Sequence, residues 1–216
     1  MTPIKILLAD DHEMIRGGMK LLLENEPDFV ICGEASDGRA AVIMAESLQP
    51  DVVVLDILMP EMNGVDATRR IKQVAPKSEV LIFSSQETES LVHEVLQAGA
   101  TGYLLKTGAS RHIIPAIRAL AAHQPFFSSK ISQIVFEGYL ANARGAAGTA
   151  NSPLTPRERE IVQLVAEGKS NKEVAAALGI SVKTAETHRA AVIRKLELDS
   201  ISDLVRYAIR NHIIEA

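Results

Sequence analysis

The 216-residue sequence predicts a doubly wound α/β unit on a parallel sheet, followed by an all-α unit of four helices containing a helix-turn-helix. Three observations carry this expectation. Five short, continuous apolar runs alternate with helical patterns over residues 1–122. A stretch of small and polar residues then interrupts the pattern. Residues 153–216 finally show repeated helix-start signals and no strand pattern.

The apolar runs are Ile4–Ala9, Phe29–Gly33, Val52–Leu55, Val80–Phe83 and Gly102–Leu105. Each is continuous rather than alternating, as expected of a parallel strand covered on both faces. Between the first two, Met14, Ile15, Gly18, Met19, Leu22 and Leu23 fall at helical spacing, and Pro27 ends the helix. Five such βα units in series imply helices on both sides of one sheet. The expected division is 1–122 for this unit, 123–152 for a connector with a helix near 129–140, and 153–216 for the helical unit. Residues 141–153 are small, polar and glycine-containing, the composition of a flexible linker.

In the helical unit, Thr155-Pro156-Arg157-Glu158 is a capping box with proline at the first helical position. Ser170 to Glu173 forms a second box, and Ser200 to Asp203 a weaker variant. Ser181 can cap the helix between them, with Thr184 in place of the acid. Gly168 and Gly179 stand where helices should end, so Gly179-Ile180-Ser181 reads as a tight turn.

Composition narrows the function classes. The chain is 47% hydrophobic and 23% charged, ordinary for a globular protein. No apolar run reaches the roughly 18 residues of a membrane span. The N-terminus lacks the charged and apolar regions of a signal peptide, so a cytoplasmic location is expected. The lone Cys32 cannot form an internal disulfide and reads as a small buried strand residue. Residues 1–122 hold 11 Lys/Arg against 17 Asp/Glu, a net −6, whereas 153–216 hold 10 against 9, a net +1. Such a difference suggests separate tasks, but +1 is no argument for binding DNA; local arrangement must carry that claim.

Ligands of an open α/β sheet bind beyond the carboxyl ends of the strands. Those ends deliver Asp10 and Asp11, Asp56, Ser84, and Lys106. Clustered carboxylates repel one another, and hard oxygen ligands with room for water suit Mg²⁺ better than zinc. Asp56 would then be a nucleophile that accepts a phosphoryl group as an acyl phosphate. Lys106 and the cation would neutralise the phosphoryl oxygens, and Ser84 would hydrogen-bond one of them. Any one of these acids alone is as well explained as a cap or surface charge; the convergence of five groups is not. His12 reads as a solvent-facing residue at a helix start, and the other histidines show no zinc-binding spacing.

Asp10-Asp11, the run Val52 to Asp56 continuing through Pro60 to Gly64, Ser84 and Lys106 resemble the receiver domain of bacterial response regulators. The resemblance implies strand order 2-1-3-4-5 and Asp56 as phosphoacceptor. It also implies Asp11, Asp56 and the Leu58 carbonyl as magnesium ligands, with Asp10 acting through water. Ser84 and Tyr103 would move together on phosphorylation. Many receivers have proline and a cis peptide after the lysine; here Thr107 follows Lys106, and a cis bond before a non-proline residue costs about 3 kcal/mol.

Leu154 through Glu173 to Arg189 resembles the LuxR-type DNA-binding domain, which together with the receiver gives the NarL/FixJ group of response regulators. On the helix from Val182, residues Val182, Ala185, Val192 and Leu196 lie near one face, bordered by His188 and Ile193. Lys183, Glu186, Thr187, Ala190 and Arg194 form another stripe, at i, i+3, i+4, i+7 and i+11, suited to the major groove. Glu186 can accept from cytosine N4, Thr187 can bond or touch a thymine methyl, and Ala190 permits close approach. Lys172, Lys183, Thr184, Arg189 and Lys195 suit phosphate contacts, although a solvated helix face competes for any single lysine. His188 reads as a packed structural residue. Ile201, Leu204, Val205, Ala208, Ile209 and Ile213 make the last helix more apolar than a small bundle needs, and the resemblance makes it a dimer surface; ordinary core competes for about half of them.

The implied partners are a sensor histidine kinase, double-stranded promoter DNA, a second copy of the chain and RNA polymerase. Two rivals stand beside this reading. A phosphatase with an aspartate nucleophile needs an acid two residues later, where this chain has Leu58, so an enzyme is not expected. A receiver acting only as an interaction module would not need all five rim residues. Leu58 also cannot position an attacking water, and with Gln86 it occupies positions that govern water access in the family. The phosphorylated protein is therefore expected to keep its phosphoryl group longer than fast-signalling receivers do; decay within seconds in the purified protein would contradict this.

Overall fold

The computed structural model describes residues 2–107, 111–143 and 153–215. Its N-terminal unit runs β1 (Ile4–Ala9), α1 (Glu13–Leu23), β2 (Phe29–Ala35), α2 (Gly38–Leu48), β3 (Val52–Leu55), α3 (Gly64–Val74), β4 (Glu79–Ser84), α4 (Glu89–Gln97), β5 (Gly102–Leu105) and α5 (Ile113–Ala121). A short strand β6 (Phe126–Phe127) and helix α6 (Ser129–Ala143) follow. The C-terminal unit holds α7 (Pro156–Ala166), α8 (Asn171–Leu178), α9 (Val182–Lys195) and α10 (Ile201–Arg210).

The strands pair in parallel in the order β2-β1-β3-β4-β5-β6. The expected five-stranded order is present, and a sixth strand extends it. Phe126 and Phe127 pair with Gly102 and Tyr103. Two residues are too few to show a period, which is why the sequence gives no strand signal there. Alternate residues point to opposite faces of the sheet. Leu7, Val53, Leu55, Val80, Ile82 and Tyr103 meet α2, α3 and α4 on one side. Ile6, Leu8, Val52, Val54, Leu81 and Leu104 meet α1 and α5 on the other. Each fully buried Leu, Ile or Val side chain contributes about 1.5–3 kcal/mol.

Cys32 is half-buried rather than enclosed. It sits where the β1–β2 register shifts, and its thiol donates to the Ile6 carbonyl at 3.3 Å. Helix α6 runs to Ala143, so its last three residues replace the start of the expected linker; residues 144–152 of that linker lie outside the described residues. Ile131 of α6 is buried in the N-terminal core, and Lys130 pairs with Glu87. The α6 segment is therefore packed against the sheet unit.

The C-terminal helices begin at the expected caps. Thr155 and Ser170 each complete a capping box, and Ser181 and Ser200 accept from the backbone N–H three residues on. Gly179 adopts φ 64°, the left-handed conformation that glycine takes without a Cβ penalty, and turns the chain from α8 into α9.

Helix α7 departs from an ordinary amphipathic pattern. Arg159, Glu160 and Gln163 are buried although polar, because they face the N-terminal unit. Arg159 pairs with Glu94 at 2.5 Å, Glu160 with Arg70 at 2.5 Å, and Lys169 with Glu61 at 2.8 Å. The two units thus meet through polar groups, as separable domains do.

Gly64 opens α3 directly behind Asp56. A Cβ there would lie 2.2 Å from the Asp56 carbonyl oxygen and 2.8 Å from Ile57 Cα. Both are backbone atoms that cannot turn aside. Gly64→Ala is expected to lower unfolding free energy by about 2 kcal/mol or more; a urea midpoint equal to wild type would contradict this packing.

Candidate functional site

Strand pairing brings the predicted rim residues to one edge. The Asp56 backbone N–H donates to Ala9 O, so the end of β3 is tied to the end of β1, where Asp10 and Asp11 follow. Lys106, held by its N–H to Ser84 O, reaches back from β5. Its ammonium lies 2.8 Å from Asp56 Oδ2 and 2.9 Å from Asp10 Oδ2. Asp56 Oδ1 accepts from Ile57 N at 2.7 Å. Asp10 is fully buried and Asp56 is 4% exposed.

Burial pushes the Asp56 carboxyl up to about 6, with the Asp10 charge adding to it and Lys106 and the Ile57 N–H opposing. For Lys106, burial lowers the pKa, but the hydrogen bonds and charges of Asp56 and Asp10 outweigh it and leave the ammonium stabilised. Oxygen or nitrogen atoms of Asp10, Asp11, His12 and Asp56 lie within 4.8 Å of one another. Asp10 Oδ2 and Asp11 Oδ1 are buried without a well-formed hydrogen bond, although Lys106 and His12 stand close by. Underbonded carboxylate oxygens around a common point are what a hard divalent cation satisfies. His12 is exposed, and its Nδ1 lies 2.8 Å from Asp11, whose charge is the main reason its pKa is raised.

Ser84 is buried at the end of β4, where its hydroxyl accepts from Gln86 N at 3.1 Å. Tyr103 is fully buried, and its hydroxyl donates to Gln86 O at 2.7 Å. Both side chains therefore converge on one residue of the β4–α4 loop. Leu58 is buried in the loop after Asp56. The Lys106–Thr107 peptide is trans, as no cis bond occurs among the described residues.

On α9, Ala185 and Val192 are buried in the helical core, while Lys183, Glu186, Thr187, Ala190 and Arg194 are all exposed. Lys172 and Thr184 are exposed as well. Arg189 donates to Asn171 Oδ1 at 3.0 Å, and Lys195 pairs with Glu158 at 2.7 Å, so these two are braced against neighbouring helices. His188 is half-buried. In α10, Leu204 and Ala208 are buried, with Ile213 beyond them, whereas Ile201 is exposed and Val205 and Ile209 are only partly covered.

Residues 6–118 match the family described as "Response regulator receiver domain", and residues 152–208 match "Bacterial regulatory proteins, luxR family". The chain belongs to the two-component response regulators that join a receiver domain to a LuxR-type DNA-binding domain. It is 38% identical to the transcriptional regulatory protein LiaR of Bacillus subtilis over 211 residues, 98% of this chain and 99% of that one. It is 34% identical over 212 residues to the response regulator protein VraR of Staphylococcus aureus, with 98% and 99% covered. A structure of the Salmonella typhimurium RcsB response regulator superposes with a TM-score of 0.59 at 26% identity, covering 96% of this chain and 98% of that chain.

Sequence reasoning missed the residues that join the two domains. Gln163 of α7 donates to the Met59 carbonyl at 2.8 Å and accepts from the Asn63 N–H at 2.8 Å. The sequence of α7 carries no clear signal for it: Glu160, Gln163 and Glu167 fall at i, i+3 and i+7 on one polar stripe, which reads equally well as a solvated helix face.

The raised Asp56 pKa has a consequence for stability. Its folded value of about 6 exceeds the unfolded value of 3.8, so the folded state binds more protons between them. Stability from this group is fully present below the unfolded value and is lost as pH rises through about 6. Without Mg²⁺, Asp56→Asn is expected to stabilise the protein by about 1–2 kcal/mol at pH 8 and far less near pH 4, after discounting the loss of one Lys106 contact. Thermal unfolding at both pH values tests it; an advantage that grows on acidification would contradict the assigned cause.

Proposed function

We propose that Asp56 is the phosphoacceptor of a switch that controls promoter binding by α9. The supporting observation is the buried Asp56–Lys106–Asp10 cluster beside Asp11 at one rim of the sheet. A carboxylate oxygen of Asp56 attacks phosphorus in a phosphohistidine of a sensor kinase. The P–N bond breaks, an acyl phosphate forms and the imidazole leaves. Lys106 Nζ, already within 3 Å of the acceptor carboxylate, neutralises the incoming phosphoryl oxygens. Asp11, Asp56 and the Leu58 carbonyl would hold Mg²⁺, with Asp10 acting through water; when bound, the ion supplies further charge neutralisation. Ser84 turns from Gln86 to a phosphoryl oxygen, and Tyr103, bonded to the same residue, follows.

The receiver is assigned to 1–122, the connector to 123–152 and the DNA-binding domain to 153–216. Glu186, Thr187 and Ala190 read base edges from the groove-facing stripe that Arg194 completes; Lys172, Lys183, Thr184, Arg189 and Lys195 set register on the phosphates. Arg189 and Lys195 would exchange their present partners for DNA. The partly uncovered Ile201, Val205 and Ile209 of α10 form the surface that pairs two copies on adjacent half-sites. RNA polymerase is the next partner of a promoter-bound dimer. No helix among the described residues is long and apolar enough to cross a membrane, in accord with the proposed cytoplasmic site of action. Turnover of external phosphoesters is not part of this reading, since Leu58 stands where a second acid would be required.

Incubation with acetyl phosphate and Mg²⁺ should phosphorylate the wild type and leave Asp56→Asn unmodified. Phosphorylation should raise affinity for a DNA fragment selected by the wild-type protein from a random pool. Thr187→Ala and Glu186→Ala should each weaken that complex by about 1–3 kcal/mol. Equal DNA binding with and without phosphate would leave a DNA-binding protein whose receiver is an interaction module.

A further inference from the structure

The two carboxylates proposed to ligate the cation, Asp56 and Asp11, are held very differently. Asp56 has Lys106 on one carboxylate oxygen at 2.8 Å and the Ile57 N–H on the other at 2.7 Å. The neighbouring Asp10 is tied as firmly. Its N–H donates to Ala35 O at 3.2 Å, its Oδ1 accepts from the His12 N–H at 2.9 Å, and its Oδ2 lies 2.9 Å from Lys106 Nζ. Asp11 has no comparable anchor on its side chain. Its Oδ1 is buried without a well-formed hydrogen bond, and the group beside it, His12 Nδ1 at 2.8 Å, belongs to a half-exposed ring. A side chain as short as aspartate carries its carboxylate where the backbone directs it, so the peptide joining Asp10 to Asp11 decides where this ligand points.

That peptide is held from α1. Arg16 Nη1 donates to the Asp10 carbonyl, the oxygen of this same peptide, at 2.7 Å. Helical side chains lean back toward the N-terminus of their helix, which lets Arg16, at the end of the first turn, reach a carbonyl that precedes α1. The guanidinium is itself oriented. Its Nε lies 3.6 Å from Glu34 Oε2 on β2, and Lys20 Nζ, one turn further along α1, holds Glu34 Oε1 at 2.6 Å. The Arg16 side chain is only 17% exposed, so water competes little for its bond to the peptide. A cationic group beside a cation site needs a reason, because it repels the ion that it neighbours. For Lys106 the reason is the phosphoryl charge; Arg16 instead makes its short bond to a backbone oxygen of the rim.

We propose that Arg16 is a positioning residue of the phosphotransfer site: by fixing the Asp10–Asp11 peptide from α1, it aims the Asp11 carboxylate at the divalent cation. The proposal rests on Asp11 and Asp56 being ligands of that cation. Two roles for the guanidinium predict opposite signs. As a charge alone it repels the ion, and its removal would tighten Mg²⁺ binding. As a positioning group its removal frees the peptide and weakens Mg²⁺ binding, as loss of the groups that orient metal ligands commonly does. The planar fork of arginine serves Asp10 O and faces Glu34 at once, whereas an ammonium is a single point charge. Arg16→Lys therefore keeps the charge and loses the geometry.

The test titrates Mg²⁺ into the isotopically labelled full chain, with no phosphodonor present, and reads the dissociation constant from amide chemical shifts. Urea midpoints taken without Mg²⁺ separate a change in affinity from a loss of fold. Arg16→Met is expected to weaken Mg²⁺ binding about tenfold, and Arg16→Lys to weaken it by a smaller factor. With acetyl phosphate, both variants should need more Mg²⁺ for half-maximal phosphorylation of Asp56. Wild-type affinity in both variants would overturn the proposal. So would tighter binding in Arg16→Met, which would leave the guanidinium as a charge and nothing more. Should Arg16→Met fail to fold, Arg16→Lys decides alone, and unchanged affinity there sinks the idea. If wild type binds no Mg²⁺, or Asp11→Ala binds it as wild type does, the cation-site reading itself fails and the role of Arg16 falls with it.

Discussion

Two carboxylates, Asp10 and Asp56, are buried at adjacent strand ends, and the Lys106 ammonium between them makes that burial tolerable. An isolated buried charge costs several kcal/mol, and two like charges side by side cost more. Burial is the main reason Asp56 stays above the ordinary carboxylate range, with the Asp10 charge adding to it and Lys106 opposing. The rest of the receiver serves to impose this crowding. Parallel pairing in the order β1-β3-β4-β5 fixes the three side chains, and apolar layers on both faces prevent the strands from relaxing apart. Two carboxylates thus share one ammonium at this rim, with underbonded oxygens of the kind that a divalent cation satisfies.

That crowding has two routes to the remainder of the molecule. One follows β4 and β5, where Ser84 and Tyr103 both bond Gln86 and where β6 and Ile131 of α6 pack beside Tyr103. The other is the β3–α3 loop, whose backbone is bonded directly by Gln163 of the DNA-binding domain. The two differ in character. The first is bonded within the receiver and its packed extension, whereas the second crosses between domains and can be broken without exposing a large apolar surface. The inter-domain contact consists largely of hydrogen bonds and ion pairs, among them Arg70–Glu160 and Arg159–Glu94. Polar contacts exchange with water at small net cost, about 0.5–1.5 kcal/mol per hydrogen bond, so this contact can open where an apolar core could not.

The parts legible in the sequence are those encoded locally. Continuous apolar runs gave five strands, capping boxes gave the starts of α7 and α8, and strand-end chemistry gave Asp10, Asp11, Asp56, Ser84 and Lys106 as a set. The α9 stripe was legible for the same reason, since helical spacing alone separates Ala185 and Val192 from Lys183, Glu186 and Thr187. What was not legible depended on distant partners. Phe126 and Phe127 become a strand only because β5 offers a free edge. Asn63 reads as a helix cap, which it is, yet its N–H is also claimed by a residue 100 positions away.

Gln163 shows why such contacts escape local reading. A glutamine within an apolar helix can mean a solvent-facing position or a buried group with a fixed partner, and the two cannot be separated without knowing what covers the helix. Here it faces the loop that follows Asp56. A leucine at 163 would pack as well but could not report on that backbone, because apolar contact is indifferent to where a carbonyl points. A hydrogen bond is directional and weakens steeply with angle, so a small rotation of the Met59 or Asn63 peptide is enough to break it. The choice of an amide at this position therefore makes the contact between domains sensitive to loop geometry, where an apolar contact would register only distance.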